Sequence, residues 1–140
     1  KILPRAPYEC VCSTEEAELT KYAGNTFLYL KVVYMNMLYD LAQTFDGDWE
    51  IIAKNVTADA RIGTSHMYPV HASGHSKDSG RGAGGHCFIK DFSAFADFYK
   101  KNVPDIVGHE LFTAIERKNI NLLRESGKDL DLLGEVYGRA

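Results

Sequence analysis

The run STEEAELTKYAGNTFLYLKVVYMNMLYDLAQT, residues 13–44, decides the fold. Ser13 and Glu16, three residues on, form a capping box, and the acidic first turn of Glu15 and Glu16 suits the positive end of a helix dipole. From there to Thr44 no proline occurs, and Leu19, Tyr22, Ala23, Phe27, Leu30, Tyr34, Met37 and Leu41 recur at helical spacing. One helix is predicted across the whole run. About thirty residues rising 1.5 Å each make a rod of about 46 Å, whereas a globule of this chain length is ~35 to 40 Å across. The rod is therefore expected to protrude or to pair with something. Leu28, Val32, Val33, Met35 and Leu38 lie off the main stripe, so both sides of the rod are expected to be covered by protein. A partner subunit is one way to cover the second side.

Working outward, Asp46-Gly47-Asp48 ends the rod, and Asp48 can cap a short helix through Trp49, Ile51, Ile52 and Val56. A turn follows at Asp59-Ala60-Arg61-Ile62-Gly63. Between Thr64 and Gly85 the period is lost and five glycines (Gly74, Gly80, Gly82, Gly84 and Gly85) gather with three histidines, which reads as a long loop of the functional or mobile kind. Phe88, Phe92, Phe95, Ala96 and Tyr99 mark a helix ending near Asn102, and Pro104-Asp105 opens another through Leu111, Phe112, Ile115, Ile120 and Leu123. Leu130 to Tyr137 is predicted as a short terminal helix. No segment shows the alternation of a strand, so the class is all-α. Pro4 and Pro7 make residues 1–12 an extended lead-in or linker, leaving 13–140 as one helical domain.

Composition narrows the functions. The chain has 140 residues, 45% of them apolar, enough for one domain with a real core. Sixteen basic against nineteen acidic residues give a net charge of −3, no footprint for nucleic acid or an anionic membrane surface. No apolar run approaches the ~18 residues of a membrane span, and Lys1-Ile2-Leu3-Pro4 lacks a signal-peptide pattern, so a soluble, cytoplasmic protein is expected. Three cysteines, two of them at Cys10 and Cys12, fit a reducing compartment better than a disulfide framework.

Three constellations can carry chemistry. In Gly84-Gly85-His86-Cys87-Phe88-Ile89-Lys90-Asp91, Cys87 falls near a helix start, where dipole and backbone amides favour the thiolate, and Asp91 falls one turn on, able to act on a proton or water. The plainer alternative makes Gly-Gly loop punctuation, Cys87 a buried small hydrophobe and Asp91 a cap or surface charge. Lys21 and Asn25 lie one turn apart on the long helix, with Asn36 nearly in line, and could steady an oxyanion; polar residues on a helix are otherwise a solvated face. His66, His71 and His75, with Asp78 between and His86 beside Cys87, offer ligands for zinc or iron. Their spacing fits no established metal pattern, so an exposed polar loop is the preferred reading and no metal is assigned.

Together these motifs resemble the central domain of the UDP-glucose/GDP-mannose dehydrogenase family. The elements that carry the resemblance run in family order: Glu16-Ala17-Glu18-Leu19-Thr20-Lys21-Tyr22-Ala23-Gly24-Asn25-Thr26-Phe27, then Asp59-Ala60-Arg61-Ile62-Gly63, then Gly84 to Asp91. They cover most of Ser13 to about Leu123. The resemblance implies a helical fold of the 6-phosphogluconate dehydrogenase C-terminal-domain type, and oxidation of a nucleotide-sugar C6 alcohol to a uronic acid with NAD as acceptor, as in polysaccharide biosynthesis. It implies that Cys87 is the nucleophile that forms a thioester, that Lys21 and Asn25 stabilise the reacting oxygen, and that Asp91 works with water in proton transfer. It assigns Arg61 to the substrate of the neighbouring subunit, Gly84 and Gly85 to the substrate, and Lys90 to the cofactor. A homodimer through the long helix 13–44 follows from the same resemblance.

Departures from the family pattern sharpen the expectations. His86 stands where a small residue is usual, Ile89 where proline or glutamine is common, and the segment from Arg61 to Cys87, which in the family shapes the sugar pocket, is longer than in typical members. Gly80-Arg81-Gly82-Ala83-Gly84-Gly85 is not the Gly-x-Gly-x-x-Gly turn of a dinucleotide fold. Lys1 begins about where a cofactor domain would hand over to the central one. The expectation is a central domain, inactive alone, that is a piece of a longer ancestor or a stand-alone derivative; the alternative is a helical dimerisation scaffold without catalysis.

Overall fold

The computed structural model describes residues 6–138, so the first five residues of the lead-in and the last two of the chain lie outside it. Five helices carry the architecture: α1 (Thr14–Gln43), α2 (Trp49–Thr57), α3 (His86–Asn102), α4 (Ile106–Ser126) and α5 (Leu130–Tyr137). The fold is all-α apart from a small antiparallel hairpin of β1 (Val70–Ala72) and β2 (Ser79–Arg81), with Val70 opposite Arg81 and Ala72 opposite Ser79. Local chemistry sets the helix starts. The Ser13 hydroxyl accepts from the Glu16 amide while the Glu16 carboxylate accepts from the Ser13 amide, closing the predicted capping box. Asp48 and Asp105 cap α2 and α4 through their carboxylates, and Gly127 ends α4 in the left-handed conformation that glycine tolerates.

The hairpin corrects the expectation of a strandless loop. Its strands are three residues each, too short to leave an alternating pattern in the sequence. Side chains from elsewhere hold it: Arg81 reaches α1 through Nε to Asn36 Oδ1 at 2.9 Å and Nη2 to Asp40 Oδ1 at 2.6 Å.

α1 packs chiefly on α3, which also contacts α4 and α5. Tyr29 stacks on Phe92 with ring centroids 3.9 Å apart, and Val32, Val33 and Ala83 close the same core. A second cluster joins Met35 to Trp49, Ala53 and Met67; a third joins Ile89 to Leu123, Leu132 and Leu133. The buried face of α1 is thus Thr26, Tyr29, Val32, Val33, Met35, Asn36 and Ala42. Leu19, Phe27, Tyr34, Met37 and Leu41, five members of the stripe that marked the helix, are exposed. Periodicity reveals that a helix has faces, and packing decides which one turns inward. Here the core side tolerates the polar Asn36 because Arg81 and the Val32 carbonyl satisfy it.

Candidate functional site

The site begins with the entry to α3. Gly85 caps the helix at φ 83°, a left-handed value favoured by glycine, and its N–H donates to Asp129 Oδ2 at 2.8 Å. Cys87 follows in the first turn, exposed, where backbone amides have no intrahelical partner and no side chain caps them. Asp91 falls one turn later and is buried. The Tyr29–Phe92 stack clamps α1 on α3 and sets Lys21 and Asn25 opposite this carboxylate. Asn25 Nδ2 donates to Asp91 Oδ2 at 2.6 Å, and Lys21 Nζ lies 3.5 Å from the same oxygen. The Asp91 side chain is 2% exposed and that of Lys21 57% exposed, so a dry carboxylate faces a cation that solvent or a ligand can reach. A buried carboxylate is retained when such donors compensate its lost hydration.

Beside Cys87 lies a cavity of about 440 Å³ walled by the start of α3 and by the segment carrying the hairpin. His66, His71, His75 and His86 all line it. His75 Nε2 lies 2.8 Å from Asp131 Oδ2 on α5, and its ring meets the edge of His86 with centroids 4.7 Å apart. The hydrogen bond to Asp131 holds His75 above the usual histidine range, while desolvation holds His66 and His71 below it. Among the described residues no three histidine, cysteine or acidic side chains are gathered so as to hold a metal ion.

The structure thus unites Lys21, Asn25 and Asp91 and puts Cys87 on the same helix as Asp91. It separates Asn36, which serves Arg81 instead. Arg61 is engaged with Asp59 through Nε at 3.0 and 3.1 Å, in a turn that Lys31 Nζ ties to α1 by the Ile62 carbonyl at 2.7 Å. That turn borders a groove with Phe27, Leu30 and Tyr34 on the exposed face of α1, apart from the cavity at Cys87. Lys90 is exposed on α3. Gly84 and Gly85 line the cavity but also form a seat: a Cβ at Gly84 would fall 2.1 Å from Asp129 Oδ2 and 2.8 Å from Lys128 Cε.

Lys128, Asp129 and Asn119 escaped the sequence reading. Lys128 is 1% exposed, and its ammonium donates to the Gly82 carbonyl at 2.9 Å and approaches the Gly80 carbonyl at 3.4 Å and His71 Nε2 at 3.2 Å. Burial pushes it down to about 8. Asp129 takes the Ser73 hydroxyl as well as Gly85, and the Asn119 amide pairs with both the N–H and the carbonyl of Ala83. Lysines are ordinarily solvated, and nothing in the local spacing marks this one as buried; the crowd of glycines it serves was the one available hint.

Comparison with known proteins bears on this arrangement. Residues 15–121 match the model of the UDP-glucose/GDP-mannose dehydrogenase family, central domain. The chain is 31% identical over 134 residues to a UDP-glucose 6-dehydrogenase of Rickettsia bellii, covering 86% of this chain and 28% of that protein. It is 31% identical over 122 residues to a UDP-glucose 6-dehydrogenase of Pseudomonas aeruginosa (87% and 23%), and 29% identical over 126 residues to UDP-glucose 6-dehydrogenase TuaD of Bacillus subtilis (89% and 24%). The chain spans about a quarter of the length of these curated relatives.

Proposed function

The chain belongs to the UDP-glucose/GDP-mannose dehydrogenase family, as its central domain, and from that premise we propose that it carries the covalent half of a nucleotide-sugar 6-dehydrogenase site. The observation that supports this most is the meeting of Lys21 and Asn25 on one oxygen of buried Asp91, one turn from Cys87. In this reading the Cys87 thiolate adds to the aldehyde-level C6 carbon. Lys21 and Asn25, which converge at the head of the site, stabilise the oxygen that becomes negative in that addition. Asp91, held by both, exchanges protons with the water that later cleaves the thioester. The hydride acceptor implied by the family is NAD. The described residues contain an antiparallel hairpin and no βαβ unit, so apart from an exposed Lys90 they offer no seat for a dinucleotide, and no step is assigned to it. Alone, the chain is therefore proposed to turn over neither UDP-glucose nor GDP-mannose.

The homodimer belongs to the same reading. The exposed apolar face of α1 and the groove it forms with Arg61 and Ile62 support a second copy packing there, which would carry Arg61 toward the partner's substrate. Among the described residues no helix is long and apolar enough to cross a membrane. A cytoplasmic location is part of the proposal.

The competing reading is a helical scaffold that keeps the dimer face and no chemistry, and thiol reactivity separates the two. Cys10 and Cys12, free and exposed, serve as internal references for Cys87. Under iodoacetamide near neutral pH, Cys87 is expected to react about tenfold faster than either. Equal rates, each following a thiol of pKa about 8.5, would leave the scaffold.

A further inference from the structure

We propose that the loop between β1 and β2, residues 73–78, is a strap fastened to α5 by the ion pair of His75 and Asp131, and that loss of the His75 proton unfastens it. The strap stands apart from the proposed chemistry and needs no role for Cys87. Its anchors are few. Ser73 fixes its first residue, the hydroxyl donating to Asp129 Oδ1 at 3.0 Å and accepting from the His75 N–H at 3.2 Å. Gly74 follows at φ 84°, a left-handed value that glycine tolerates, the Asp78 N–H turns back to Ser76 Oγ at 3.0 Å, and Lys77 is exposed. Among the described residues, the one hydrogen bond from 74–78 to another element is that of His75 Nε2 to Asp131 Oδ2, at 2.8 Å. The His75 ring also stands edge-on to His86, centroids 4.7 Å apart, which sets it against the start of α3. Gly74 and His75 line the cavity beside Cys87, so the strap forms one of its walls and its release opens that wall.

The charges around His75 favour its imidazolium form. Asp131 lies in the first turn of α5, where the helix dipole suits an anion, and Asp129 and Glu135 add negative charge from the same side. α3 presents His86, and the chain's own segment presents His66 and His71 on the cavity, with the Lys128 ammonium 3.2 Å from His71 Nε2. The hydrogen bond holds His75 above the ordinary histidine value, against partial desolvation, and holds Asp131 below the ordinary carboxylate value. The closed strap therefore binds the His75 proton more tightly than the open one. Its contribution to closure is complete below about 6.5 and is lost as pH rises through the raised value. The contribution of Asp131 is complete above its ordinary value and is lost as pH falls through the lowered one. The strap is fastened between these limits and loosens in mild alkali, where a neutral imidazole donates a weaker bond.

The test is tryptic cleavage after Lys77, mapped by peptide mass, in the folded 140-residue chain and its His75→Gln and Asp131→Asn variants. A synthetic peptide of residues 70–82 in the same tube gives the rate of an unfastened strap and cancels the protease's own pH dependence. Asp131 is exposed and His75 is on the loop, so neither change empties the core, and the helical circular dichroism should be the same in all three chains. Relative to the peptide, cleavage of the unmodified chain should rise about fivefold from about pH 6 to about pH 9. Both variants should start near the raised level and stay there. Three results overturn the proposal: a flat relative rate in the unmodified chain, absence of cleavage included; variants that stay at its low level; or a rise that persists in either variant. The last would assign the release to another group, such as Lys128, which is held at about 8 in the same window.

Discussion

At Asp91 two donors from one helix meet one oxygen on another, and the energetics are those of a charge-assisted contact out of water. A hydrogen bond to a charged group contributes about 1.5–3 kcal/mol, and the bond from Asn25 at 2.6 Å is short and sheltered. A double-mutant cycle of Asn25→Ala and Asp91→Ala, followed by urea unfolding, should therefore return a coupling energy of about 1.5–3 kcal/mol. A coupling near zero would mean that the amide and the carboxylate do not act together. Lys21 should couple more weakly, because its ammonium is 3.5 Å away and mostly solvated. Cys87, Lys21, Asn25 and Asp91 were legible in the sequence as candidates, since each sits in a motif of fixed spacing. The convergence of Lys21 and Asn25 on Asp91 was not legible, because it depends on how Tyr29 and Phe92 register two helices that are far apart in sequence.

Among the elements, the segment from β1 to the start of α3 depends on a turn distant from it in the chain. The α4–α5 junction sends Lys128 under the glycine carbonyls and Asp129 to Ser73 and Gly85. Lys128→Met would leave buried carbonyl oxygens unpaired, and it should cost about 1–3 kcal/mol at neutral pH. The pH dependence has a definite sign. The folded-state value of Lys128 is about 8, so above it the unfolded chain holds the extra proton, until the ordinary lysine value near 10.4 is passed. Stability of the unmodified chain relative to Lys128→Met should therefore rise with pH across that window; a flat difference in thermal midpoint would contradict it. Helix boundaries were readable from sequence because caps are local: Ser13 with Glu16, Asp48 and Asp105 act within three residues. The hairpin and the buried lysine were not, because the partners that fix them lie dozens of residues away. The inward face of α1 was misleading for a related reason, since two apolar faces share one helix and only tertiary packing chooses between them.

For the whole molecule, a 30-residue helix with Leu19, Phe27, Tyr34, Met37 and Leu41 in solvent is a surface that a second copy would bury. Sedimentation equilibrium at micromolar concentration should give twice the 15.6 kDa chain mass, and Tyr34→Glu should halve it while leaving the helical circular dichroism intact. A single-chain mass for the unmodified protein would count against the dimer. The claim on which everything else rests is that this helical unit supplies the nucleophile for nucleotide-sugar oxidation. Its most direct test places residues 15–121 in a full-length relative, in exchange for the matching central segment, and follows NADH formation from UDP-glucose. Turnover that Cys87→Ser abolishes is expected; turnover that survives Cys87→Ser would mean that the nucleophile lies elsewhere.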